Sequence, residues 1–152
     1  MKNEKLRKIL KAGLCLSAAM SIAFGMTACG SSSGSDSGSD TIRVGVLTDL
    51  TGSLADYGIG VTSGYKLAAD EINSSGGING KQIEFVTYDC KGDNNVYQEM
   101  ARKVCLEDNV DVVFGGVTSA SREAIRPIME ENEKIYFYDV QYEGGVASHY
   151  TF

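Results

Sequence analysis

Asp111-Val112-Val113-Phe114-Gly115-Gly116-Val117-Thr118-Ser119 is the stretch on which the fold turns. Its first half is a near-continuous apolar run and predicts a strand over 111–115, of the kind covered on both faces in a parallel sheet. Residues 116–119 read as a loop. Ser119 is a natural N-cap for a helix, although the same hydroxyl is free to donate to a ligand. Glu123 adds negative charge to the first turn of that helix. Pro127 sits inside it and predicts a kink or a weakening near Glu123.

The same order of strand, loop and helix repeats outward from this stretch. Toward the N-terminus, residues 42–48 are short, apolar and β-branched and predict the first strand. A loop over 49–57 holds Thr51-Gly52-Ser53. Val61, Tyr65, Ala68 and Ile72 then recur at four, three and four, which predicts a helix over 58–73. Ser74-Ser75-Gly76-Gly77 stops it, and Asn79-Gly80 makes a tight turn into a second strand over 82–88. A polar turn over 89–93 caps a second helix with Tyr97, Met100, Ala101 and Val104 on one face. Toward the C-terminus a strand is expected over 134–138, a loop over 139–148 and an extended segment over 149–152. Alternation of this kind implies an α/β fold, a doubly wound parallel sheet of strand order 2-1-3-4. Ligands bind such sheets beyond the carboxyl ends of the strands, which selects the loops 49–57, 116–119 and 139–144. Helix N-termini point donors into the same crevice.

The first forty residues have a different character. Lys2, Lys5, Arg7, Lys8 and Lys11 precede an apolar stretch over 12–28, which ends in Met26-Thr27-Ala28-Cys29-Gly30. A basic head, an apolar stretch and small residues before a cleavage point read as an export signal. The stretch is diluted by Gly13, Ser17, Ser21, Gly25 and Thr27 and falls short of the about 20 apolar residues of a membrane span. Residues 30–40 are all Gly, Ser and Asp, a flexible leash with a reach of roughly 17–20 Å. The expected organisation is therefore a signal over 1–28, a tether over 29–40 and a domain over 41–152.

Beyond the signal, residues 29–152 carry nine Lys and Arg against nineteen Asp and Glu, a net charge of −10. That balance argues against nucleic acid and against electrostatic docking on anionic lipid. His149 is the single histidine, which leaves a Ser-His-Asp site or a zinc site without support. Gly58-Ile59-Gly60-Val61-Thr62-Ser63-Gly64 has the glycine density of a dinucleotide loop but begins about ten residues past its strand. Close packing of a helix on the sheet accounts better for those glycines. No enzyme activity, cofactor or metal is expected. Cys90 and Cys105 are expected to be unpaired, because a helix of roughly 16 Å separates them and a disulfide needs Cα atoms within about 7 Å.

Several stretches carry a family resemblance. Met26–Gly30 resembles the lipobox of bacterial lipoproteins, with methionine where leucine is preferred; this implies lipidation of Cys29. Val44-Gly45-Val46-Leu47-Thr48-Asp49-Leu50-Thr51-Gly52-Ser53 and Asp70-Glu71-Ile72-Asn73-Ser74-Ser75-Gly76-Gly77-Ile78-Asn79-Gly80-Lys81 resemble type I periplasmic binding proteins of the branched-chain amino acid and amide group. The likeness continues through 114–122. Tyr136-Phe137-Tyr138-Asp139-Val140-Gln141-Tyr142-Glu143-Gly144 looks like the urea and short-chain amide branch.

The resemblance implies a solute-binding component of an ABC importer. It would be lipid-anchored outside a bacterial cell membrane, with a small polar solute and the permease subunits as partners. It also implies that 41–152 is an incomplete N-terminal lobe of a two-lobed protein. A receptor domain and a branched-chain amino acid-binding protein are the alternatives; a surface adhesin has only the tether in its favour. Carried over residue by residue, the implied ligand-binding set is Ser119, Tyr138, Thr118, Gln141, Tyr142 and Glu143. Tyr138 also suits a core edge, and Glu143 also suits a role in organising its own loop. Gly116-Val117 stands where the amide branch has an aromatic-containing pair, and Asp139 stands where proline is usual.

Overall fold

The computed structural model describes residues 41–141 and 143–152. The expected signal over 1–28, Cys29 with the whole of the expected tether over 29–40, and Tyr142 lie outside the described residues. The elements run β1 (Thr41–Thr48), α1 (Ala55–Ser74), β2 (Gln82–Asp89), α2 (Asn94–Leu106), β3 (Val112–Gly115), α3 (Ser119–Glu131) and β4 (Ile135–Phe137). All strand pairings are parallel and the order is β2-β1-β3-β4, as the alternation predicts. β1 is central: Val44 pairs with Phe85 on one side and with Val112 on the other.

Beyond β4, residues 150–152 return along its outer edge. Tyr150 O accepts from Tyr136 N at 2.7 Å, Phe152 N donates to Tyr136 O at 2.9 Å, and Phe152 O accepts from Tyr138 N at 2.9 Å. The extended segment expected over 149–152 is thus seated as the beginning of a fifth parallel rung.

The period-2 alternation of each strand divides the core in two. Leu47, Val113 and Tyr136 face α2 and α3, where they bury with Tyr97, Val104 and Ile125. Val44, Phe85 and Phe114 face α1. A row of rings crosses this second face, with centroids of Tyr65 and Phe114 at 5.5 Å, Phe114 and Phe137 at 4.9 Å, and Phe137 and Phe152 at 5.7 Å. Among the described residues only α1 covers this face, and Phe137 is 37% and Phe152 59% exposed. The expectation that β3 is covered on both faces therefore holds for Val113 but not for Val112 and Phe114, which are half-buried.

Several local expectations are refined or corrected. α1 begins at Ala55, three residues before the expected start, because Ala55-Asp56-Tyr57 are helix-permissive and Asp56 complements the helix dipole. Gly58 lies within α1, where a Cβ would stand 2.0 Å from the Asp49 carbonyl oxygen, so there the helix does press on the end of β1; Gly60 and Gly64 have open space around them. The N-cap of α3 is Thr118 and not Ser119: its hydroxyl accepts from Ser121 N while the Ser121 hydroxyl accepts from Thr118 N, a reciprocal capping box. Glu123 consequently falls past the first turn, where it pairs with Arg122 and Arg126. α3 runs through Pro127 without interruption. Cys90 and Cys105 are both buried and unpaired.

Candidate functional site

The loops after β1, β3 and β4 meet at the carboxyl end of the sheet, and each is fixed from below. After β1, Asp49 is buried and its Oδ1 accepts from Gly92 N at 2.7 Å. Asp89, at the end of β2, accepts from Leu50 N at 2.9 Å, Thr51 N at 3.2 Å, Lys91 N at 3.1 Å and the Thr51 hydroxyl at 2.7 Å. Partial desolvation pushes the Asp89 carboxyl up, but the Thr51 hydroxyl and the three N–H groups outweigh it and hold the group below its ordinary value.

A carboxylate with a depressed folded pKa stabilises the fold fully above its unfolded value near 3.8, and that contribution is lost as pH falls through the lower folded value. The stability gap between wild type and Asp89→Asn is therefore expected to be constant above about pH 5 and to narrow below about pH 4. Urea midpoints across that range check it; a gap that widens toward acid is the contrary result.

After β3 the chain turns through Gly115 and Gly116 into the Thr118 cap, and Gly116 N donates to Leu47 O at 2.8 Å. With Thr118 committed to the cap, the Ser119 hydroxyl is released from that duty and donates to Glu143 Oε1. After β4, Asp139 takes the Tyr65 hydroxyl at 2.5 Å, which ties α1 to this loop where the family resemblance would place proline. Tyr138 is buried on the α3 side; among the described residues its hydroxyl makes no hydrogen bond of normal geometry, and the nearest polar side chain acting on it is Ser119. Burial, and then the charge of Glu143, push its phenol up, while Arg122 and the Ser119 hydroxyl oppose them.

A cavity of about 140 Å³ opens among the three loops, lined by Leu54, Tyr57, Val117, Thr118, Val140 and Gln141. Its walls are mostly apolar, with two polar handles, the usual chemistry of a small-molecule site. A larger cavity of about 210 Å³ lies beneath α1 between Tyr65, Phe85 and Phe114, away from the strand ends and without a polar handle.

Of the residues expected from sequence, Thr118 and Gln141 share the cavity rim. Ser119, Glu143 and Tyr138 gather around one side chain that the sequence reading did not single out, Arg122. The signal for Arg122 was its spacing, since residues three apart on a helix are surface neighbours and Arg122 follows Ser119 by three. Leu54, Tyr57 and Val140 were also missed as wall residues. Among the described residues no group of three or more His, Cys, Asp and Glu is placed to hold a metal, and no helix is long and apolar enough to cross a membrane.

Residues 42–152 match the family model of the periplasmic binding protein domain. The chain belongs to the periplasmic binding protein family. A Leucine-, isoleucine-, valine-, threonine-, and alanine-binding protein of Pseudomonas aeruginosa is 33% identical over 112 residues, which are 74% of this chain and 30% of that protein. The Leu/Ile/Val-binding protein of Escherichia coli K12 is 32% identical over 92 residues, 60% of this chain and 25% of the relative. The crystal structure of the branched-chain amino acid transporter substrate-binding protein LivJ from Streptococcus pneumoniae, in complex with isoleucine, superposes with a TM-score of 0.62 at 34% identity, covering 64% of this chain and 28% of that one. The chain thus spans about 30% or less of the length of these relatives. Within this family the described residues are a partial lobe: four parallel strands in the order 2-1-3-4 with helices on both faces.

Proposed function

We propose that this chain is the first part of an extracytoplasmic, solute-binding component of an ABC importer, held at the membrane through a lipid on Cys29 and the tether over 29–40. Residues 41–152 would then be an incomplete N-terminal lobe. The observation that carries this reading is the family match over residues 42–152, which coincides with a small, apolar-walled cavity at the carboxyl ends of the strands with Thr118 and Gln141 on its rim; Ser119 and Glu143, which follow those rim residues in the chain, are hydrogen-bonded to each other. Such a site binds and orients; it offers no acid, base and nucleophile in series, so a transport role and not catalysis is proposed.

The solute we infer is a small, net-neutral molecule of amino-acid type. The relatives named for leucine, isoleucine and valine favour a branched-chain amino acid, and the Leu54, Val117 and Val140 walls suit an aliphatic side chain. Urea or a short-chain amide is the second reading, favoured by the Gln141-Tyr142-Glu143 segment and by the Glu143 carboxylate beside the Ser119 hydroxyl, an acceptor and a donor for a flat amide. A ligand-sensing receptor domain would use the same lobe.

Calorimetry on the full-length mature protein decides among these. Heat with L-leucine or L-isoleucine and none with urea or acetamide supports the amino-acid reading, and the reverse supports the amide reading. No heat with any of the four sinks the solute-binding proposal. Retention of lipid label by a Cys29→Ala protein sinks the anchor.

A further inference from the structure

Burying a guanidinium is costly unless its charge and its N–H groups are met. The Arg122 side chain is only 6% exposed. Its Nε donates to Glu123 Oε1 at 3.1 Å, and its Nη1 donates both to the Glu143 carbonyl oxygen at 3.1 Å and to Glu143 Oε1 at 3.2 Å. The centre of the Tyr138 ring lies 5.0 Å from its Cζ, within cation–π range. Glu123 is shared with Arg126 at 2.6 Å, so Glu143 supplies the rest of the compensating charge. Glu143 Oε1 is also the atom that takes the Ser119 hydroxyl. One carboxylate oxygen therefore joins the buried cation to the proposed ligand-binding hydroxyl.

The geometry points to Arg122 as the positioning and selectivity residue of the site: it cancels the charge of Glu143 and holds that carboxylate over Ser119, so the cleft admits solutes without net charge. This rests on the solute-binding reading above. A zwitterion or an amide enters beside a closed ion pair and leaves no charge uncompensated. An anion of the same size must compete with Glu143 for Arg122, and a cation must compete with Arg122 for Glu143. Selectivity is then set by a pair, and removing either member should tilt it in opposite directions.

The test is calorimetry on the full-length mature protein with two matched sets of probes. L-leucine is compared with 4-methylpentanoate, which lacks the ammonium, and isopentylamine, which lacks the carboxylate; acetamide is compared with acetate and acetamidinium. Glu143→Gln keeps an oxygen for Ser119 and Arg122 but leaves the cation uncancelled, and it should raise the anion-to-neutral affinity ratio by about tenfold. Arg122→Gln should raise the cation-to-neutral ratio by a similar factor, and the double variant should return both ratios to within about threefold of wild type. Variants that weaken every probe in parallel overturn the inference, because a merely structural Arg122 does not reverse charge preference. Glu143 is part-exposed, so Glu143→Gln decides the matter even where Arg122→Gln fails to fold. A wild type that binds a neutral probe while Glu143→Gln leaves the ratios unchanged indicts the inference alone. A wild type that binds neither neutral probe overturns the solute-binding reading, and the inference with it.

Discussion

Gly115→Ala is expected to abolish or nearly abolish stable folding. Gly115 ends β3 at φ +129°, and a Cβ there would stand 2.0 Å from the Leu47 carbonyl oxygen and 2.9 Å from its carbonyl carbon. Both obstacles are backbone of the central strand, which is paired on both sides and has no freedom to retreat. Positive φ alone costs on the order of 1–3 kcal/mol for a non-glycine residue. The overlap adds to this, so a loss of about 4 kcal/mol or more is expected, against a total of about 5–15 for an ordinary domain. The same oxygen takes the Gly116 N–H, so any local shift also disturbs the turn that leads to Thr118 and Ser119. Gly60→Ala is the control: it lies in α1 with open space around it and should gain about 0.5–1 kcal/mol from helix propensity. Urea denaturation of the two variants beside wild type measures both. A Gly115→Ala midpoint equal to that of wild type would mean that the close approach of β1 and β3 carries no cost.

Tyr136→Ala carries the second large expected effect. Tyr136 is fully buried under α3, with its hydroxyl donating to Gly115 O at 2.9 Å. Burial dominates the upward shift of its phenol, so the group stays neutral and a donor. Truncation to alanine removes a whole ring from the core and should cost about 3–5 kcal/mol. Tyr136→Phe keeps the ring and deletes only the donor to the Gly115 carbonyl, for about 1–3 kcal/mol. The ordering of wild type, Phe and Ala by urea midpoint separates packing from bracing. If the Phe variant matches wild type, the hydroxyl does not brace the β3 turn.

The architecture was legible in sequence because period and punctuation agreed. Apolar, β-branched runs alternated with four-three-four spacing, and strand order followed once every connection was a short crossover. The half-covered α1 face was not legible, because an apolar run looks the same whether one helix or several lie on it; β3 shows this, with Val113 buried and Phe114 only half-buried. At the site, Thr118 and Ser119 are adjacent hydroxyl residues, and composition does not say which one caps. Ser121, three residues past Thr118, settles that question by returning the bond in the capping box. Arg122 was hidden for another reason. A cation on a helix reads as surface, and only the three-dimensional return of Glu143 and Tyr138 makes it interior.

The two buried thiols have a practical consequence. Desolvation, with Asp49 and Asp89 nearby, pushes Cys90 up to about 12, and burial pushes Cys105 up as well. Since the thiolate is the nucleophile, neither should take up a maleimide or an oxidant while the domain is folded. A cysteine engineered at Gln141 could then be dye-labelled selectively once Cys29 is removed or acylated, turning the cleft into a fluorescent reporter of its own occupancy.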